Sequence, residues 1–365
     1  MDFSTNKNDF LSALTTLSKI TPNRTTLPVL SSALIKAQDN KITIRTTDLE
    51  LEMTFVLRGT ILKEGEVCAP IHKLLEITQN ILDDEVSIHV NETNRMRIKN
   101  SKGKYLVACT GTEEFPEERN NEDNTQKIAT EFLSDTIKNT TYCCSKDELK
   151  PVLGGVLVSF STSSVTSVAT DGHRLTKFIY PQENTTTTNI VVPQKFLNII
   201  STGAINLKKA ELSSTENYIT IQTQQQTLSC RLITEKFPDY DAVIPQENSN
   251  TTTINTQEFL GAIKRVSLMS NKTTKQIILN ISNNKIELSA EDHETGGSAT
   301  EELFAQHQGE DLNIGFNSTL LLEILKHQKT EEINLLTSGP LNAALIQQKE
   351  ENTTQTTTLL MPIRI

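Results

Sequence analysis

The stretch "SVTSVATD", residues 164–171, reads as a short strand running into an aspartate, and the chain contains two counterparts. "KITIRTTD" ends at Asp48 and "KIELSAED" at Asp292, so the three aspartates stand 123 and 121 residues apart. Other markers keep the same spacing. An acid followed by Phe-Leu occurs at Asp9-Phe10-Leu11, Glu131-Phe132-Leu133 and Glu258-Phe259-Leu260; Leu-x-Ile begins at Leu75, Leu197 and Leu322; an apolar residue precedes proline at Phe115-Pro116, Phe237-Pro238 and Met361-Pro362. A period that holds at four separate places marks one folding unit used repeatedly. The chain therefore reads as three similar domains, 1–124, 125–250 and 251–365. The cuts fall near the acidic "EEFPEERNNED" (113–123) and the polar "PQENSNTTTIN" (245–255), both read as solvated connectors.

Within each copy the order is helix, strands, helix, strands. Phe259, Ile263 and Val266 recur at helical spacing, with Glu258 in the first turn where the helix dipole favours it. Period-two runs mark strands: Leu49 to Leu57 in the first copy, Leu228 to Leu232 in the second, and Ile286 to Ala290 in the third. Asn283-Asn284 reads as a hairpin turn. The expected class is α+β, with two amphipathic helices packed on antiparallel sheets in each domain.

Asp171 and His173 flank Gly172, with Arg174 beside them, and these are residue types that a general base and its orienting carboxylate would need. The repeat argues against that chemistry. Asp48 and Asp292 hold the same place, and neither is followed two residues later by histidine. An aspartate after a strand at three equivalent points is more simply a turn residue that binds nearby backbone.

Composition narrows the classes further. No apolar run reaches the ~18 residues of a membrane span, and "MDFSTNKNDF" has no apolar targeting core, so a soluble cytoplasmic protein is expected. The five cysteines are odd in number, lack metal-ligand spacing and include the adjacent Cys143-Cys144; they read as reduced thiols. No metal and no cofactor is expected. The net charge of −10 weighs against a nucleic-acid partner, yet the helix regions are locally basic: Lys19 and Arg24, Lys73, Lys138 to Lys150, Lys195, Lys264 and Arg265, Lys326 and Lys329. Gathered on one side, they would offer weak, salt-sensitive phosphate contacts without base readout.

"RTTLPVLSSAL" (24–34), "TTDLELEM" (46–53), "ATDGHRL" (169–175), "KFPDYDAVIP" (236–245), "IGFNSTLLLEIL" (314–325) and "LLMPIRI" (359–365) resemble, in order and over the full length, the bacterial sliding clamps, the beta subunits of DNA polymerase III. The resemblance implies the DNA clamp fold. Two chains would join head to tail in a ring of six domains whose helices line a hole for duplex DNA, with no catalytic activity. It implies DNA contacts at Arg24, Lys73, Lys150 and Lys195, although Pro151 and Val152 stand where well-known clamps carry aromatic residues.

The same resemblance implies a hydrophobic pocket for short client peptides from the polymerase III alpha subunit, the clamp loader and other clamp-binding proteins. Its walls would be Leu153, Thr170, Gly172, His173, Arg174 and Leu175; Pro238 and Val243, beside Ala242 where a basic residue is expected; and Ala343 with the terminal Leu359, Leu360, Met361, Pro362, Ile363, Arg364 and Ile365. Arg174 and Arg364 would hold polar groups of the peptide. At the ring joint, Tyr105 and Val107 of an edge strand would pack against Leu268 and Met269 of the partner. On residues alone two other readings stay open: a hydrolase or transferase built on Asp171 and His173, and a three-domain scaffold that binds peptides but not DNA.

Overall fold

The computed structural model describes residues 1–22, 25–118, 126–184, 187–282, 284–349 and 354–365. Among the described residues lie six α-helices: α1 (Lys7–Leu17), α2 (Ile71–Gln79), α3 (Glu131–Thr140), α4 (Gln194–Ser201), α5 (Thr256–Val266) and α6 (Ser318–Lys326). Three of them begin on a side-chain cap. Asn6, Asn255 and Asn317 cap α1, α5 and α6, each side chain accepting from two backbone N–H groups of the first turn. The repeated Phe10, Phe132 and Phe259 are all buried. They anchor α1, α3 and α5 into their cores.

By its contacts the chain divides into two compact units. The first comprises Met1–Glu131 and Lys195–Leu232. A five-stranded sheet runs in the order Gly59–Lys63, Asp2–Asn6, Glu85–Val90, Arg95–Lys99, Lys104–Ala108. An eight-stranded sheet pairs Leu51–Leu57, from the first repeat, with Gln226–Arg231, from the second. The helices α1 and α2 pack on each other.

The second unit comprises Phe132–Gln194 and Ile233–Ile365. Its nine-stranded sheet joins the second and third repeats through Arg174–Pro181 and Gln355–Leu360, while a four-stranded sheet ends on Gly297–Phe304. All the strand pairs are antiparallel. The main core gathers around α5 and α6, and a second apolar cluster lies on the other face of the nine-stranded sheet.

Three details differ from expectation. Leu49 is exposed at φ 78° and lies outside the strand, which starts at Leu51. The second connector is shorter than its composition suggests, because Asn250–Asn255 is a strand with Asn250, Thr252 and Ile254 buried; alternating threonines fit a pleated, half-buried surface. In the first connector, residues 119–125 lie outside the described residues, but Phe115 is buried. Of the Asn283-Asn284 turn, Asn283 lies outside the described residues and Asn284 holds φ 62°.

Candidate functional site

The turn after "VAT" is built by its aspartate. Asp171 Oδ1 accepts from the backbone N–H of His173 (2.9 Å) and Arg174 (3.0 Å). Asp48 does the same for Glu50 and Leu51, and Asp292 accepts from the N–H of Glu294 and the hydroxyl of Thr295. The threefold aspartate is a turn device. Gly172 sits at φ +90°, a conformation that side chains rarely tolerate, and a Cβ there would meet nothing within 4 Å. His173 is exposed, and its ring makes no hydrogen bond to Asp171 among the described residues.

Arg174 departs from the expected role. It is buried, and its guanidinium turns into the protein: Nε donates to Asp171 Oδ2 (2.9 Å), Nη2 donates to the Tyr142 carbonyl (2.6 Å), and Nη1 forms an ion pair with Glu323 Oε2 of α6 at 2.9 Å. Its plane also stands over the Tyr142 ring, which stacks on His327 at 4.0 Å. Burial pulls its pKa down, but Cys143, Asp171 and Glu323 outweigh burial and the net shift is upward. A group so engaged braces the turn rather than reaching for a peptide.

Beside this turn lies an apolar floor. Leu157, Val168, Leu175, Leu345 and Leu359 form a buried cluster beneath Phe237, with Tyr240, Ile244 and Ala343 packed against it. Strand pairing sets Leu175 opposite Leu359, and Leu359 opposite Leu345, so all three point to one face. Leu360 alternates to the other face and belongs to the main core, which removes it from the expected wall. Leu153 is buried in the turn Pro151–Gly154. Pro238, Val243, Met361, Arg364 and Ile365 are exposed, while Thr170, Pro362 and Ile363 are half-buried. The terminal segment is pinned by its backbone: Met361 N–H donates to the His173 carbonyl and Ile363 N–H to that of Gly315. Arg364 offers its carbonyl to Gln276. Leu157, Val168, Leu336 and Leu345 were not singled out from sequence, although the apolar runs around them carried the signal.

The expected DNA contacts fare unequally. Lys73 on α2 is exposed, with a surface ion pair to Glu76 at 2.9 Å; such pairs hold their partners loosely. Lys150 is exposed at the start of the turn Pro151–Gly154. Lys195 is different. It stands between Asp48 (3.0 Å) and Glu50, half-buried, and although burial lowers its pKa the two carboxylates raise it overall. Arg24 lies outside the described residues.

At the expected joint, Lys104–Ala108 is the terminal strand of its sheet and Tyr105 is exposed. Val107 is 5% exposed and faces its own core with Met96 and Ile98, whereas Leu106 is 67% exposed. Tyr105, opposite Ile98, shares the face of Val107, and Leu106 points to the other face. Leu268 and Met269 are exposed in the turn Ser267–Met269 after α5.

Among the described residues no group of three or more His, Cys, Asp or Glu is placed to hold a metal ion, and no helix is long and apolar enough to cross a membrane. The cysteines are free; burial pushes the thiols of Cys68 and Cys143 up to about 12. They stay protonated and poorly nucleophilic at neutral pH.

Three family models match the chain in tandem: the N-terminal domain of the DNA polymerase III beta subunit at residues 1–119, the central domain at 127–239 and the C-terminal domain at 241–364. The beta sliding clamp of Pseudomonas putida is 26% identical, with the whole of both chains covered. Among solved structures, the DnaN sliding clamp of Bartonella birtlesii bound to griselimycin superposes with a TM-score of 0.92 at 26% identity, covering both chains completely. The Bacillus subtilis sliding clamp does so at 0.91 and 25%, covering 100% of this chain and 99% of that one.

Proposed function

The chain belongs to the DNA polymerase III beta-subunit family, and from that membership we propose that it is a DNA sliding clamp: a non-catalytic ring that encircles duplex DNA and tethers the replicative polymerase. The three clamp domains are taken as 1–124, 125–250 and 251–365, and the site of action is the bacterial cytoplasm. The observation that carries the reading is the tandem match of all three domain models across one chain built of three repeats.

The parts described above support it. Two edge strands are available for a head-to-tail homodimer, one flanked by Arg95, Arg97 and Lys104, the other carrying Glu301 and Glu302. Tyr105 and Leu106 on the first, with Leu268 and Met269 beside the second, supply the apolar contact. An exposed sheet edge is otherwise an aggregation hazard, so a partner there has a physical purpose. Lys73 and Lys150 serve as weak phosphate contacts, joined by Arg24. Sequence-independent binding of this kind runs at about 10⁻⁴ to 10⁻⁶ M and falls with salt. Closure of a ring makes such weakness useful, since topology retains the protein while loose contacts let it slide. The apolar floor under Phe237 receives the anchoring side chains of client peptides from the polymerase alpha subunit, the clamp loader and other clamp-binding proteins, with Gly172, His173 and Met361 at its rim.

The test is topological. Loaded onto a nicked circle by its loader, the protein stays at a salt concentration that strips it from linear DNA, and it leaves when the circle is cut. Retention that ignores cutting would sink the clamp reading. No retention on the circle at all, with client peptides still bound, would instead favour a peptide scaffold.

A further inference from the structure

We infer that the client site does not end at its apolar floor: a second cavity continues it along the same sheet face and takes the extended, hydrogen-bond-donating residues that flank the client peptide's apolar anchors. This rests on the client-pocket reading above. The cavity measures about 380 Å³. That falls in the range of ligand sites, about 300–1,000 Å³.

Its floor follows from strand alternation. Along Arg174–Pro181 the face carries Leu175, then Lys177, then Ile179; along Gln355–Leu360 it carries Leu359, then Thr357, then Gln355; along Ala344–Gln348 it carries Leu345, then Gln347. Each series starts in the apolar cluster and ends in the cavity. The far wall is the connector from Asp241 to Asn248, so Ile244, Leu336 and Leu345 border both spaces. Between them stands one small barrier: Lys177 pairs with Asp241 at 2.8 Å and lies 5.2 Å from the centre of the Tyr240 ring. Asp241 is largely exposed, which lets this pair yield to a ligand.

The chemistry of the occupant comes from the lining. Ile179, Ile244 and Leu336 favour a chain lying flat, while Gln347, Gln355 and Thr357 offer polar groups at strand spacing. Asn248 Oδ1 is buried and has no hydrogen-bond partner among the described residues. A buried acceptor left unmade is costly, and a donor from the ligand satisfies it. An extended polar peptide segment meets all of these at once, and continuity with the apolar floor makes the client's own flanking residues that segment.

The experiment uses the full chain and two labelled peptides. One copies the clamp-binding segment of a polymerase III alpha subunit, and the other adds four Ser or Asn residues, at either end in turn. Two or three added hydrogen bonds correspond to about tenfold tighter binding by anisotropy for one of the extended peptides. Gln355→Trp, which fills the cavity, and Asn248→Ala each remove that gain while the short peptide binds as before. Equal binding of short and extended peptides to the wild type overturns the inference, as does a gain that persists in both variants. If the short peptide fails to bind at all, the client-pocket reading has failed and the inference falls with it.

Discussion

Arg45 and Glu52 in the first unit occupy the places that Val168 and Leu175 occupy in the second. The registers match residue for residue: Arg45 opposes Thr54 and Thr47 opposes Glu52, as Val168 opposes Lys177 and Thr170 opposes Leu175. The row continues into the next repeat, where Ser229 and Thr220 stand for Leu359 and Leu345. Four apolar floor residues on one face are thus an ion pair and two hydroxyl residues on the other. The connectors correspond as well. Arg45 donates to the Pro116 carbonyl and stands 5.1 Å from the centre of the Phe115 ring, at the places of Pro238 and Phe237. Space is not the difference, since the first face has its own cavity of about 660 Å³, lined by Arg45, Glu52 and Thr54 among others. Chemistry is. An apolar anchor laid over a buried ion pair gains little and strips water from charge, so one backbone arrangement yields one face suited to the proposed client peptides and one that rejects them.

The comparison breaks first at the ion pair. Arg45 and Glu52 lie 3.1 Å apart with both side chains buried, so Glu52→Gln, which leaves the guanidinium unpaired, should cost about 3–5 kcal/mol in urea unfolding. The double variant Arg45→Val with Glu52→Leu copies the second face and should recover most of that loss. Partial recovery of client-peptide binding at the new site would show that floor chemistry alone separates the faces.

The reverse exchange is next in size. Leu175→Glu places a lone carboxylate in the apolar floor and should weaken client peptides by about a hundredfold, or ~2.7 kcal/mol. Retention on circular DNA should be unaffected. An unchanged anisotropy titration would remove this floor from the site.

A smaller effect concerns how each turn is braced. Arg174→Lys keeps the charge but loses the fork that reaches Asp171, Tyr142 and Glu323 together, and should lower stability by about 1–2 kcal/mol. His173→Ala should leave stability unchanged, because Asp171 orients backbone, not a base.

In the first unit the matching turn at Asp48 is held by Lys195. Half exposure discounts that pair to about 1 kcal/mol or less, read from Lys195→Met. Because the folded pKa of Lys195 is raised, its contribution is complete below the unfolded value of about 10.4 and is lost as pH rises through the folded value. The difference between wild type and Lys195→Met should therefore be present near neutral pH and shrink above about pH 10.5. The Arg174 brace should show no such alkaline loss, since guanidinium keeps its proton.

Much of the fold was legible because its signals are local. A buried Phe after an acid and an Asp after a strand each act within a few residues, and each recurred where the repeat required it. The site was legible in part. "ATDGHRL" was correctly read as a turn rather than a catalytic pair, yet Arg174 looked free because nothing near it in sequence announced Glu323 or the Tyr142 carbonyl. Lys195 looked unpaired for the same reason, its partner Asp48 being 147 residues away. Leu360 was misplaced by one step of strand alternation, where a single residue decides which face a side chain joins. Asn250–Asn255 was hidden because polar threonines serve loops and strands alike.

The amino-acid sequence by itself determined that one α+β unit is used three times, where its helices start and where its strands turn. Tertiary structure decided which charges remain free and which apolar residues share a face. Those outcomes depend on strands of successive repeats pairing in one sheet, as Leu51–Leu57 does with Gln226–Arg231 and Arg174–Pro181 with Gln355–Leu360. Pairing across more than a hundred residues brings together carboxylates, cations and leucines whose separate surroundings in the chain carry no trace of one another.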